Sequence, residues 1–370
     1  MAEATKMLTH LRVKGFRSIA DLDIAIRPLN VLIGANGAGK SNFINLFRFV
    51  REIVDERLQL YTGLRGGADR ILHYGRKTTK ALEIQVDFPP NGYGVKLLPS
   101  ANDRFVFAEE YGAFQVRPDN PNPYAEDLVT AGATESGLAA YTRRWTYGVG
   151  HHVYRELQNW RVYHFHDTSS SAPVKQSTPR NDTLVLREDA ANLAAILWQL
   201  QEQQPLVYRL LVRTIQLVVP LFQDFLFRPG PDIQQSVCLE WQDKNQPDTV
   251  FNAHDLSDGS LRFICLATLL LQPTLPKVVL LDEPELGLHP AAIAALAGLL
   301  RRASDRATVL VATQSVNLVN EFDPEDIIVV ERDAQGASTF TRQTAEQLTS
   351  WLERYSLGEL WEKNVLGGRP

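Results

Sequence analysis

The chain has 370 residues, 44% hydrophobic and 22% charged, with a formal net charge of −5. This is a globular balance, large enough for one big core or two modest ones, and no apolar run approaches the roughly 18 residues of a membrane-spanning helix. The negative balance argues against avid nucleic-acid binding by the whole surface; two cysteines argue against a disulfide framework, and residues 1–6 lack a signal peptide's apolar core, so a cytoplasmic protein is expected.

Residues 8–26 alternate apolar and polar around Gly15 and predict a two-stranded hairpin. Residues 31–33 form a short apolar strand that runs into Gly34, and residues 41–60 place Phe43, Leu46, Phe47 and Val50 on one helical face. Residues 81–88 alternate as a strand, and 89–117 read as a hairpin. Residues 118–137 open with Pro and Asn and read as a loop. A short helix is expected at 154–158, a strand at 160–165 and a loop at 168–180. Two helices, 189–204 and 206–222, meet at Pro205, and a strand is expected at 233–241. Residues 261–271 are mostly apolar and predict a buried helix.

From Lys277 the pattern alternates: a strand ending at Asp282, helix 290–304, strand 308–312, helix 316–321 and strand 327–330. Alternation implies a parallel sheet with right-handed crossovers. The expected organisation is one core split between residues 1–88 and 236–370, with a lobe extension and helical insertion over 89–235.

Residues 34–41, Gly-Ala-Asn-Gly-Ala-Gly-Lys-Ser, match G-x-x-x-x-G-K-S between a strand and a helix. Its glycines let backbone N–H groups turn inward around phosphates; Lys40 reaches the β- and γ-oxygens and the Ser41 hydroxyl ligates Mg²⁺. Asp282 and Glu283 close an apolar strand. There the first carboxylate can hold Mg²⁺ through water, and the second can deprotonate an attacking water. Ser257-Asp258-Gly259 opens a helix and offers a second anion site; Ser257 or Ser260 equally suits an N-cap. Two such turns per chain point to one subunit serving another's nucleotide. Arg262 suits a γ-phosphate or a surface ion pair. Thr313-Gln314-Ser315 suits a γ-phosphate sensor or a cap on the next helix. His164 and His166 share one strand face but have no third ligand, so a structural or nucleotide-lobe role is expected. Lys14 and Arg17 suit a nucleotide or DNA contact, or a solvated hairpin.

Together these residues resemble the ABC-type ATPases of the RecF, SMC and OLD (overcoming lysogenization defect) group, and within it the stand-alone AAA-21 or RecF-like ATPases of prokaryotes. The resemblance rests on residues 11–41, 256–262, 280–290, 313–315 and 361–370. It implies an α/β P-loop NTPase with a parallel-sheet core, an antiparallel N-terminal lobe and a helical insertion. It implies ATP and Mg²⁺, with Asn36, Gly37, Ala38, Gly39, Lys40, Ser41 and Asn42 around the nucleotide. Ser41 and Asp282 would face the metal, and Glu283, Lys40 and Gln314 would serve catalysis. A head-to-tail homodimer, or a higher even oligomer, would set Ser257 and Gly259 against the partner's phosphates. Such proteins serve DNA repair, chromosome maintenance or anti-phage defence, commonly beside a nuclease.

Two departures matter. Gln314 stands where the group usually has histidine, so turnover is expected to be slow or differently gated, and no lid-loop glutamine is evident. Only 88 residues follow Asp282, too few for a TOPRIM nuclease domain, so a nuclease effector is expected on a separate chain, with DNA as a further partner and no membrane. A transport cassette and a slow-turnover ATP-dependent scaffold are the competing readings.

Overall fold

The computed structural model describes residues 7–117, 120, 123–227 and 236–369. In chain order the strands are β1 (His10–Phe16), β2 (Ile19–Ala25), β3 (Leu29–Ile33), β4 (Leu82–Phe88), β5 (Asn91–Pro99), β6 (Phe105–Phe114), β7 (Tyr124–Asp127), β8 (Trp160–Tyr163) and β9 (Thr178–Pro179). Then follow β10 (Phe222–Leu226), β11 (Ser236–Val237), β12 (Glu240–Asp243), β13 (Gln246–Asn252), β14 (Val278–Asp282), β15 (Thr308–Ala312), β16 (Ile327–Arg332) and β17 (Ser338–Arg342).

The central sheet runs β17-β16-β3-β15-β14-β8, parallel except for β17. β3, β15 and most of β14 are buried along their length, as expected for strands covered on both faces. Their side chains alternate between two cores. Val31, Val279, Leu281 and Val309 face the helices Leu193–Gln203, Pro205–Val218, Asp258–Leu271 and Pro290–Ser304. Leu32, Val278, Leu280 and Leu310 face helix Lys40–Val54 and a second, antiparallel sheet, β2-β1-β4-β5-β6-β7. The stretch 89–235 thus contributes β5–β7 to the antiparallel sheet and β8 to the central one.

Register matters most for the site. Asp282 pairs with Ala312, Ala312 with Leu32, and Val329 with Ile33. The carboxyl ends of β14, β15 and β3 therefore lie side by side, where open α/β sheets bind ligands.

Several elements differ from expectation. The hairpin turns at Arg17-Ser18 rather than at Gly15, with Arg17 at φ 47°. The first helix stops at Val54 because Glu56 takes a left-handed φ of 54°, and a second helix follows at Leu58–Leu64. Part of the expected loop 118–137 is strand β7, which extends the sheet beyond β6; residues 118, 119, 121 and 122 lie outside the described residues. The expected strand 233–241 is divided into β11 and β12, its first three positions also lying outside the described residues. The second insertion helix ends at Val218, so Phe222 opens β10 instead.

Candidate active site

β3 runs into Gly34 and the helix begins at Lys40, so residues 34–39 form a loop held at both ends. Gly39 sits at φ 127°, and a Cβ there would run into Ser338 Oγ; only glycine permits that approach. Ser338, at the start of β17, braces the loop. Its hydroxyl donates to Ala38 O at 2.5 Å, and Ser18 Oγ lies 2.8 Å away. Ser18 in turn accepts from Asn42 Nδ2 at 2.8 Å. Arg332 Nε donates to Gly37 O at 2.9 Å. Of the two hairpin cations, Arg17 reaches Asn42 Oδ1 at 3.4 Å, whereas Lys14 lies exposed on β1, opposite Asp21 and Glu83.

Lys40 is buried and its Nζ donates to Gly34 O at 2.5 Å and Ala35 O at 3.2 Å. Burial lowers its pKa, while Glu283, Asp282 and Glu285 pull the other way. Its ammonium therefore lies in the field of three carboxylates at the ends of the neighbouring strands. Burial, then the adjacent Glu283, raises the pKa of Asp282; His166, Arg48 and Lys40 offset this. Ser41, the second residue of the helix, is exposed. A divalent cation between Ser41 and Asp282 would complete its shell with phosphate and water oxygens, as Mg²⁺ commonly does. Among the described residues, no group of three or more His, Cys, Asp or Glu is placed to hold a metal ion.

Glu283 takes a left-handed φ of 43°, a strain of about 1–3 kcal/mol for a residue with a side chain. Its N–H donates to Ala312 O at 2.8 Å, and its Oε1 accepts from Gln314 Nε2. Ser315 Oγ meanwhile caps the short helix Val316–Val319 through Leu318 N at 3.2 Å. Of the two readings of the 313–315 segment, the helix cap is formed by Ser315, while Gln314 bonds the Glu283 carboxylate. Glu285 was not singled out from the sequence. It is buried, accepts from Thr313 Oγ1 at 2.5 Å and from Gln314 N at 3.4 Å, and its Oε2 has no hydrogen-bond partner. Burial raises its pKa, with the Thr313 bond opposing.

β8 ends at Tyr163, so His164 and His166 lie in the segment that follows it rather than on one strand face. His166 Nε2 donates to Asp282 O at 2.8 Å, which assigns the proton to that nitrogen. Burial, Arg48 and His166 push the His164 pKa down to about 4, so it is neutral at pH 7. Arg262 is buried, and its guanidinium is engaged by backbone carbonyls rather than by a surface carboxylate. It donates to Phe165 O at 2.9 Å, His166 O at 3.2 Å and Leu286 O, clamping the loops that follow β8 and β14 onto its helix.

Ser257 is exposed and caps helix Asp258–Leu271, accepting from Ser260 N at 3.2 Å. Gly259 abuts Gly287 O, where any Cβ would collide. The turn is thereby seated on the segment after Glu283, with Ser257 and Asp258 exposed. The bracing residues Ser338 and Arg332 carry no local signal, because they reach the loop from about 300 residues away in sequence.

The profile of the family described as "AAA domain, putative AbiEii toxin, Type IV TA system" matches residues 29–93 and 137–320, which hold every strand of the central sheet except β16 and β17. Two curated proteins match locally. One, an "OLD nuclease" of Thermus scotoductus, is 37% identical over 84 residues, 23% of this chain and 15% of that protein. The other, "Urease accessory protein 2" of Cryptococcus neoformans, is 38% identical over 82 residues, 21% of this chain and 6% of that protein. The chain thus spans only a small part of these relatives. An SMC head solved with the C-terminal winged helix domain of ScpA superposes with a TM-score of 0.58 at 14% identity, covering 93% of this chain and 99% of that one. An SMC head with an extended coiled coil, bound to the C-terminal domain of Pyrococcus furiosus ScpA, gives 0.56 at 13%, covering 94% and 98%; these likenesses show the fold. The chain belongs to this AAA domain family and has the fold of an SMC head.

Proposed function

We propose that the chain is an ATP-hydrolysing switch that closes as a head-to-tail homodimer. One observation carries the reading: loop 34–41, Asp282–Glu283 and Gln314 stand at the carboxyl ends of three adjacent parallel strands, with Gln314 bonded to Glu283. In this reading the N–H groups of Asn36–Asn42 cradle the phosphates, and Lys40 exchanges the Gly34 and Ala35 carbonyls for β- and γ-oxygens. Mg²⁺ held by Ser41 and Asp282 would neutralise charge on those phosphates. Glu283 accepts the proton of a water whose oxygen bonds to the γ-phosphorus as the β–γ bridging bond breaks, and Gln314 holds the carboxylate in place.

Ser257 and the first-turn N–H groups of its helix would meet the γ-phosphate held by the other subunit. The exposure of Ser257 and Asp258 and the helix dipole support this. The output is proposed to run through a separate nuclease-type effector in DNA repair or anti-phage defence, on the strength of the local likeness to an OLD nuclease. The test is Glu283→Gln with ATP and Mg²⁺ in size-exclusion chromatography with light scattering: a nucleotide-dependent dimer is expected, and a monomer at saturating ATP refutes the reading. A slow-turnover scaffold is favoured by one observation, the unprotonatable Gln314. Steady-state phosphate release, with and without DNA, separates the two.

A further inference from the structure

A cleft of about 720 Å³ lies away from the phosphate loop. Its walls are the distal half of helix Lys40–Val54, helix Leu58–Leu64, strand β8 and residues 185–188. Six arginines line it, Arg48, Arg51, Arg57, Arg65, Arg161 and Arg187, against three carboxylates, Glu52, Asp55 and Glu188. In a chain of net charge −5 this is a local excess of the opposite sign. Arg57 and Arg51 are engaged with Glu52 and Asp55, and Arg187 with Asp182 at 2.7 Å. Arg65 and Arg161 have no carboxylate partner of this kind: Arg65 lies over the Tyr61 ring at 5.2 Å, and Arg161 donates to backbone carbonyls.

The same rim carries exposed aliphatic side chains: Leu60 at 59%, Leu64 at 78%, Val185 at 42% and, beside it, Leu184 at 96%. This combination discriminates between anionic ligands. A single-stranded nucleic acid would need open aromatic faces for its bases. Here Trp160 is buried against Phe47 and the Tyr61 face is covered by Arg65. Aliphatic knobs interleaved with guanidiniums instead match leucine-type side chains and carboxylates on one amphipathic peptide.

We infer that this cleft docks an acidic, leucine-bearing amphipathic segment of a partner protein. The inference deepens the reading of the chain as a switch with a separate effector, and rests on that reading only for what the docked segment would control.

The test is a random peptide library displayed on phage, selected on the full chain and checked against Arg65→Glu and Leu64→Asp. Both positions are exposed and lie outside the nucleotide site, and melting curves confirm folding. The selected peptides are expected to be net acidic, with large apolar residues at i, i+3 and i+4. Each substitution should weaken their binding about tenfold or more, and an oligothymidylate should not compete. Peptides without an acidic excess, or binding that survives both substitutions, would overturn the inference. Displacement by the oligothymidylate would overturn it too, in favour of a nucleic-acid groove. Phosphate release by the same variants without peptide is expected to match the wild type. A chain that selects such peptides yet releases no phosphate would keep the cleft and lose the switch.

Discussion

Gln314 Nε2 donates a hydrogen bond to Glu283 Oε1. The bond joins the second residue after β15 to the residue after β14, and Glu283 takes a strained left-handed backbone there. An amide in this place can donate at any pH, whereas a histidine would donate reliably only when protonated or in one tautomer. Gln314→Ala is expected to lower kcat about tenfold or more with little change in KM, since it loosens the base without touching the phosphates. Gln314→His should give a kcat that varies with pH near 6–7, absent in the wild type, about the unperturbed histidine pKa of roughly 6.5. Matching pH profiles for wild type and Gln314→His would show that the bond does not govern the chemistry.

Ser257 and Lys40 should complement each other across subunits. Ser257→Arg leaves the protein's own phosphate loop intact, because the Ser257 hydroxyl bonds only within its own helix turn. ATP binding by that variant should remain within about twofold of wild type, while phosphate release falls about a hundredfold or more. Mixed with Lys40→Ala, itself unable to bind, it should recover part of the activity, because one composite site is then whole. Mixtures no more active than either variant alone would exclude a shared site.

Contiguous segments of this molecule could be read in advance and assembled ones could not. The strand-loop-helix over 29–54 and the strand ending at Asp282 declare themselves because periodicity, glycines and carboxylates lie next to one another. Gly39 is different. Its glycine was read as permitting a phosphate cradle, yet the contact that forbids a Cβ comes from Ser338. Arg262 likewise carries no local sign that its guanidinium serves three carbonyls rather than an anion. The apolar face of Phe43, Leu46, Phe47 and Val50 carries no mark of where the first helix ends; the stop at Glu56 is a backbone event accompanied by Arg57 reaching back to Glu52 and Asp55.

Arg262→Met should unfold the edge of the site before it affects binding chemistry. Methionine fills much of the volume but donates nothing, leaving the carbonyls of Phe165, His166 and Leu286 short of a donor in a buried setting. A loss of about 2–4 kcal/mol in urea unfolding is expected. Arg262→Lys should recover part of it, since one ammonium can reach some of the carbonyls but cannot span the fork. Equal stability of all three proteins would remove the clamp from the account.

Gly39→Ala combines two penalties, a left-handed backbone and a collision with Ser338 Oγ. The variant should lose about 1–3 kcal/mol and bind nucleotide poorly. Adding Ser338→Gly removes the collision but not the strain, so only part of the stability should return. Full recovery in the double variant would mean that backbone strain contributes nothing.

Glu285 offers a pH test with a defined sign. Its carboxyl is buried, its Oε2 is unpartnered, and burial raises its pKa above the unfolded value. A carboxyl raised in this way favours the folded state most when protonated. That contribution is complete below the unfolded pKa of about 4.3 and is lost as pH climbs through the higher folded value. Glu285→Gln keeps an oxygen for Thr313 and Gln314 N, and it never ionises. The variant should therefore gain on the order of 1 kcal/mol over wild type at pH 8, where the buried wild-type carboxyl is forced to ionise. The gain should shrink as pH falls below the folded pKa. Melting temperatures of both proteins from pH 4 to pH 8 check this, and a difference independent of pH would mean that Glu285 does not titrate in the folded protein.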